Sequence, residues 1–328
     1  MRDGWRPDLL GEGYEQLTLP LTLPGEGEQG QLVATLVRSM PHPLLAWNES
    51  LRDVDVLYVH GWSDYFFQRE LARFWNHLGA RFYALDLHRY GRSLRPGEIP
   101  GYADSLDEYD EELELALAAM GQHDRSRRRL VLLGHSTGGL TLTLWSARNQ
   151  GRAAALILNS PWLELQVGAL ARQAIAPLVA ARARFQPRGP HPVVDLGFYT
   201  RAQTELGVIP TAEYRSDWRP PQGFPTHPGW FHGVLAGHAT IASGVDVGCP
   251  ALVLLSARSS PPVRWLPEMT ETDSVLVVDE IARAALKIGP LVTVARIDRA
   301  IHDVFLSAHE PRMQAYRVVS DWATGLLH

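Results

Sequence analysis

The sequence holds a single cysteine, Cys249, in 328 residues. An intramolecular disulfide is therefore excluded, and so is a cysteine-rich zinc site. Lysine is almost absent too: Lys287 stands alone, and the other basic side chains are arginines. These arginines are scattered, which reads as genome composition rather than as a binding surface. With a formal net charge of −5, nothing points to nucleic acid as a partner. Long apolar runs are also missing. No uninterrupted run exceeds the six residues of Ala153–Leu158, against the ~20 that span a bilayer, so no integral membrane span is expected. Met1–Leu10 lacks the apolar stretch of an export signal, and a soluble cytoplasmic protein is the expectation. His227, His232 and His238 follow no metal-ligand spacing; no metal site and no other cofactor is expected.

What is present is apolar material in short pieces, 45% of the chain. A chain of this size buries about three quarters of its unfolded surface. Apolar runs at Val54–His60, Arg81–Leu87, Leu130–Gly134, Ala154–Asn159, Ala251–Ser256 and Leu291–Ile297 fit strands buried on both faces. Between them lie helical patterns at Phe67–Leu78, Leu106–Met120, Gly139–Asn149, Asp279–Leu286 and Pro311–Leu326. Alternating strand and helix predicts an α/β fold with a mostly parallel, doubly wound sheet. Ahead of it, Gln16–Leu23 and Gln31–Arg38 read as an antiparallel hairpin on the sheet edge.

The rhythm breaks at Pro161 and resumes at Cys249, with dense Pro, Gly, Trp and His between. Gly168–Ala183 reads as helix and the rest of this stretch as loops. Such an insertion is more often a functional lid than idle loop. The division expected is a core from residues 1–160 and 249–328, interrupted by an inserted cap at 161–248. Aromatic and His side chains of the insertion, among them Tyr199 and Trp230, read either as an acyl pocket or as the cap's own small core.

The strongest chemical signal is Gly134-His135-Ser136-Thr137-Gly138, a G-x-S-x-G entered by a strand and left by a helix. Side chains at the flanking glycines, Gly134 and Gly138, would collide with neighbouring backbone in so sharp a turn. Ser136 is the candidate nucleophile. A serine hydroxyl needs a base, normally a histidine oriented by a carboxylate, in the chain order Ser, acid, His. His302, in the loop after the last strand, is the candidate base. Asp273, after Ala251–Ser256, is the candidate acid. Asp279 precedes a helical pattern and reads as its N-cap, with Glu268 and Glu271 as outside candidates. Asp303 adjoins His302 and reads as a surface or turn residue. One oxyanion donor would be the backbone N–H of Thr137. The other would be the N–H of Trp62, aimed by the tight turn at His60-Gly61.

These residues resemble an α/β-hydrolase, in particular the monoacylglycerol lipase/lysophospholipase-like branch of serine aminopeptidase-type hydrolases. The resemblance is carried by His60-Gly61, Asp86–Ser93 (DLHRYGRS), Gly134–Gly139 (GHSTGG) and the Asp273/His302 region. In the second stretch Asp86, Gly91 and Ser93 match the family's turn, whereas His88 and Arg89 stand where Arg and Gly are usual. The resemblance implies a carboxylic-ester hydrolase acting on a small-molecule or lipid ester, such as a monoglyceride, a lysophospholipid or a small ester. A thioesterase or peptidase, an acyltransferase and a non-catalytic binding protein remain open alternatives. Oligomeric state is not readable from the sequence.

Overall fold

The computed structural model describes residues 4–25, 30–42, 49–122, 127–165, 169–189, 195–210 and 214–327, and side chains for all of these except 169–176. The strands are β1 (Arg6–Pro7), β2 (Tyr14–Pro24), β3 (Gln31–Ser39), β4 (Val54–Val59), β5 (Arg81–Asp86), β6 (Arg129–His135), β7 (Ala155–Asn159), β8 (Ala251–Ser256) and β9 (Val292–Ile297). They form one sheet in the order β1-β2-β3-β5-β4-β6-β7-β8-β9. The hairpin β2–β3 is antiparallel and joins β5 antiparallel, whereas β5, β4, β6, β7, β8 and β9 run parallel. All six apolar runs read from the sequence are strands of this parallel part. In the connection between the two strands of the expected hairpin, residues 26–29 lie outside the described residues.

The helices are α1 (Arg69–His77), α2 (Tyr109–Met120), α3 (Thr137–Arg148), α4 (Ala169–Phe185), α5 (Phe198–Glu205), α6 (Pro228–Ala242), α7 (Val278–Ala285) and α8 (His309–Leu326). Successive strand residues face opposite sides of the sheet, and two cores follow from that. Val56 and Tyr58 of β4 pack with Leu71 and Trp75 of α1 and with Tyr316 and Val319 of α8. Leu57 and Val59 face Leu113 of α2, Leu140 of α3 and Ile281 of α7. The sheet is therefore covered on both faces, as a parallel sheet must be.

Between β7 and β8 lie α4, α5 and α6. The loop reading of this stretch is corrected at two places, because Phe198–Glu205 and Pro228–Ala242 are helical. Pro228 occupies the first turn of α6, where its fixed φ and missing N–H cost nothing. Trp230, Val234 and Ile241 of α6 join the same core as α2 and α3. Of the two readings left open for the aromatic residues of this insertion, a separate small core is not what Trp230 builds. Tyr214 and Trp218 meet Phe67 and Tyr65 edge-on, and Trp230 packs tilted against Trp62 at 3.7 Å between ring centres.

The strand order reverses about β4: the chain passes from β4 to β5 on one side, then returns to β6 on the other. In open α/β sheets the crevice at the carboxyl ends of such strands is where ligands bind. The segment leaving β4 is His60-Gly61-Trp62, and that leaving β6 is Ser136-Thr137.

Candidate active site

Ser136 stands between β6 and α3 with φ 50° and ψ −114°, a conformation that costs an L-residue about 1–3 kcal/mol. The glycines around it make the turn feasible. A β-carbon on Gly138 would overlap the carbonyl oxygens of Val59 and His60, and one on Gly134 would lie 2.7 Å from the Gly139 Cα. The elbow is thereby pressed against the end of β4. Gly61 lies there, with a hypothetical β-carbon only 3.0 Å from the Ser136 Cβ.

His60 is buried beneath this turn rather than lining the cavity. Its Nδ1 pairs with Gly61 O at 2.8 Å, and its Nε2 accepts the N–H of Leu87 at 3.1 Å. Burial holds its pKa below the ordinary histidine value, against the pull of Asp86. A neutral ring thus ties the turn after β4 to the end of β5. Among the described residues, the N–H groups of Trp62 and Thr137 donate to no protein acceptor. Thr137 opens α3, where the first N–H groups are free and the dipole is positive.

Asp273 and His302 come together from the loops after β8 and β9. His302 Nδ1 lies 2.9 Å from Asp273 Oδ2, and both residues are buried. Asp273 Oδ1 accepts the N–H groups of Val275 and Leu276, each at 2.7 Å. With Nδ1 donating to a carboxylate, Nε2 is left as the acceptor nitrogen of the ring. Ser136, His302, Trp62 and His135 line one cavity of about 260 Å³. His135 and His302 have ring centres 5.0 Å apart, and burial lowers the pKa of His135.

Other expectations are corrected. Asp279 does not cap α7: Val277 is the cap, and Asp279 lies in the first turn, its exposed side chain paired with Arg296 at 2.6 Å. Asp303 is no surface residue but fully buried. Its Oδ1 accepts from Asn159 Nδ2 at 2.6 Å and its Oδ2 from Gln68 Nε2 at 2.7 Å. It does cap the short 3-10 turn Val304–Leu306 through the Phe305 N–H. The stretch Asp86–Ser93 is a buried knot. Asp86 Oδ2 binds Arg92 Nη1 at 2.8 Å, and Arg92 Nε reaches Asp8 at 2.6 Å. His88 pairs with buried Glu112.

In the basic stretch Arg125–Arg129, Arg125 and Ser126 lie outside the described residues; Arg128 and Arg129 pair with Asp55 and Asp53. Cys249 is half-buried against the core, and burial raises its thiol to about 11. Among the described residues no helix is long and apolar enough to cross a membrane.

The chain belongs to the serine aminopeptidase (S33) family, whose sequence profile matches residues 52–254. No curated protein matches it in sequence. Its fold is the α/β-hydrolase fold. It is similar to a soluble variant of the monoglyceride lipase of Saccharomyces cerevisiae, at TM-score 0.65 and 14% identity over 94% of this chain and 96% of that one. The monoacylglycerol lipase of Paleococcus ferrophilus gives a TM-score of 0.61 at 15% identity over 83% and 94%. A thermophilic esterase from Thermogutta terrifontis gives 0.52 at 17% identity over 94% and 99%.

Sequence reasoning missed Arg219 and Asp64. They are buried and joined Nε to Oδ1 at 2.9 Å, and both line the cavity of Ser136. The Asp in His60-Gly61-Trp62-Ser63-Asp64 was the available signal, but its partner is remote in sequence.

Proposed function

We propose that the protein is a serine hydrolase of carboxylic esters. One observation carries this reading: the strained Ser136 shares a cavity with His302, whose Nδ1 is held by buried Asp273. In this reading His302 Nε2 takes the Ser136 proton as Oγ attacks the ester carbonyl. Asp273 keeps the ring in the required tautomer and stabilises the imidazolium that forms. The N–H groups of Trp62 and Thr137 hold the oxyanion, each worth about 2.7–4 kcal/mol. His302 then protonates the departing alcohol, and an acyl-serine remains. Water, deprotonated by His302, releases the acid and restores Ser136.

The cavity of about 260 Å³ falls below the roughly 300–1,000 Å³ of drug-sized sites. Among a monoglyceride, a lysophospholipid and a small ester, this size favours the small ester. Residues 161–248 act as a cap, set over a core of residues 1–160 and 249–328. In support, Trp230 packs against Trp62 and Phe224 N–H donates to Ser63 Oγ at 3.0 Å, so the insertion braces the turn that supplies an oxyanion donor.

The test is a series of p-nitrophenyl esters of increasing acyl length, run on wild type and Ser136→Ala. The expected result is turnover of short esters, lost in the variant, with fluorophosphonate labelling of Ser136 in wild type alone. No turnover of any ester and no labelling would sink the reading. A faster thioester or amide would move the substrate class.

A further inference from the structure

The turn after β4 is anchored to the core at both ends. His60 ties Gly61 to the end of β5, and the Phe66 N–H donates to Asp86 Oδ1 at 2.9 Å. Between these anchors, among the described residues, no backbone-to-backbone hydrogen bond holds Trp62, Ser63 or Asp64. Bonds from the insertion hold the turn instead. The Phe224 N–H donates to Ser63 Oγ at 3.0 Å, Arg219 Nε binds Asp64 Oδ1 at 2.9 Å, and the Arg215 N–H donates to the Tyr65 hydroxyl at 2.7 Å. Three consecutive residues of the turn are thus joined, in reverse order, to the one stretch 215–224.

Arg219 is the middle of this seam, and it and Asp64 are each only 4% exposed. Its Nη2 donates to Gln203 Oε1 of α5 at 2.7 Å, and its backbone carbonyl accepts the Tyr214 hydroxyl at 2.6 Å. Asp64 Oδ1 also accepts the Tyr65 N–H at 2.9 Å. The guanidinium is therefore oriented from the insertion, and Asp64 passes that orientation to the main chain of the turn. Ser63, the residue directly after Trp62, has φ 52°. A side chain in that left-handed region persists only where its surroundings over-determine it, and here the bonds from the insertion supply that constraint. Desolvation of two buried ions largely offsets their attraction. Net stability is then a poor reason for the Asp64–Arg219 pair, and the geometry it imposes is a better one.

We propose that Arg219 is a positioning residue for the reaction: bound to Asp64, and flanked by the bonds at Ser63 and Tyr65, it fixes the turn that aims the Trp62 N–H at the oxyanion. The proposal rests on the ester-hydrolase reading. It makes residues 215–224 part of the frame of the active site, so that this stretch cannot swing away as a lid while the site stays competent.

The experiment measures kcat and KM on p-nitrophenyl butyrate, together with the inhibition constant of 1,1,1-trifluorohexan-2-one. Ser136 Oγ adds to the carbonyl carbon of this ketone, the Oγ proton passes to His302, and the carbonyl oxygen becomes an oxyanion, so its affinity reads the oxyanion donors. The variants are Arg219→Gln, Asp64→Ala and Asp64→Asn, with Ile241→Ala, a buried residue of α6 with no bond to the turn, as the control for lost stability. Arg219→Gln and Asp64→Ala are expected to lower kcat, kcat/KM and ketone affinity together by about 10–10²-fold, with KM kept, since a displaced donor costs less than the roughly 10²–10³-fold of one removed. Asp64→Asn keeps an acceptor oxygen for Arg219 Nε and the Tyr65 N–H, and should restore most of both. Ile241→Ala should lower Tm and leave kcat and ketone affinity as they are. If Arg219→Gln and Asp64→Ala fail to fold, Ser63→Ala, which frees only the Phe224 N–H, carries the test with the same signs. Wild-type kcat and ketone affinity in the folded variants overturn the proposal. A rise in KM alone does so too, since that describes a substrate contact. So does a loss in Asp64→Asn as deep as in Asp64→Ala, or an equal loss in Ile241→Ala. In each of these cases wild-type turnover leaves the hydrolase reading standing. No turnover and no fluorophosphonate labelling of wild type bring down that reading, and the positioning role with it.

Discussion

Asp273 and His302 are 29 residues apart in sequence and meet through a 2.9 Å contact between Oδ2 and Nδ1. The other Asp273 oxygen is already fixed by the N–H groups of Val275 and Leu276. The carboxylate is thus oriented by its own loop, and the ring only has to dock on it. An amide at this position offers an N–H where Nδ1 needs an acceptor, which favours the wrong tautomer. Asp273→Asn is expected to lower kcat on a short p-nitrophenyl ester by about 10⁴. Asp279→Asn removes only the exposed pair with Arg296, worth about 0–1 kcal/mol, and leaves kcat unchanged. Steady-state kinetics on both variants decide between them. A large loss in Asp279→Asn alone would move the acid.

Asp303 serves the fold under the site. It joins Gln68, which precedes α1, to Asn159 at the end of β7 and to the turn at Val304–Leu306. Asp303→Ala leaves buried donors on both Gln68 and Asn159 unsatisfied, at about 1–3 kcal/mol each. The expected effect is a lower urea midpoint, corresponding to about 2–6 kcal/mol, with the m-value kept. A variant as stable as wild type would show that this network contributes nothing.

Two glycines give opposite expectations. The Gly138 position admits no β-carbon, because the Val59 and His60 carbonyls already occupy the space. Gly138→Ala must therefore push β4 and α3 apart, at a cost of about 3 kcal/mol or more. Gly325, near the end of α8, has nothing within 4 Å of a β-carbon. Gly325→Ala should stabilise by about 0.5–1 kcal/mol through helix propensity alone. Urea denaturation of the two variants checks both signs.

The legible parts of the sequence were those set by local chemistry. Short apolar runs such as Ala251–Ser256, alternating with helical patterns, fit strands buried on two faces, and the elbow at Ser136 needs glycine on both sides. The meeting of Asp273 with His302 was legible because chain order and strand ends bring the two loops together. Asp303 was read as a surface or turn residue, and only the turn holds: reasoning from adjacent side chains pointing apart took no account of Gln68 and Asn159, which arrive from other elements and bury it. Helix α6 was hidden by its Gly and His content, although Pro228 marked its start. The Asp64–Arg219 pair depends on how the insertion settles over the turn after β4, and no local pattern encodes that.

The same turn makes stability depend on pH. His60 is neutral in the fold, since Nδ1 donates to Gly61 O and Nε2 accepts the Leu87 N–H. A proton on Nε2 would face that N–H. Burial accordingly lowers the His60 pKa, and burial does the same for His135. The unfolded chain titrates these rings near ~6.5. Above that pH both states are neutral and the rings add no pH dependence. Below it the unfolded chain binds more protons than the folded one, so stability falls as the pH falls. Melting temperatures between about pH 8 and pH 5.5 should therefore drop on the acid side of ~6.5 in wild type. His60→Asn carries no titrating group there. It should start from a lower Tm at the alkaline end, for loss of the ring's packing on Tyr90, and then decline less steeply. Parallel curves for the two proteins would assign the acid sensitivity to other groups and leave His60 as a packing residue only.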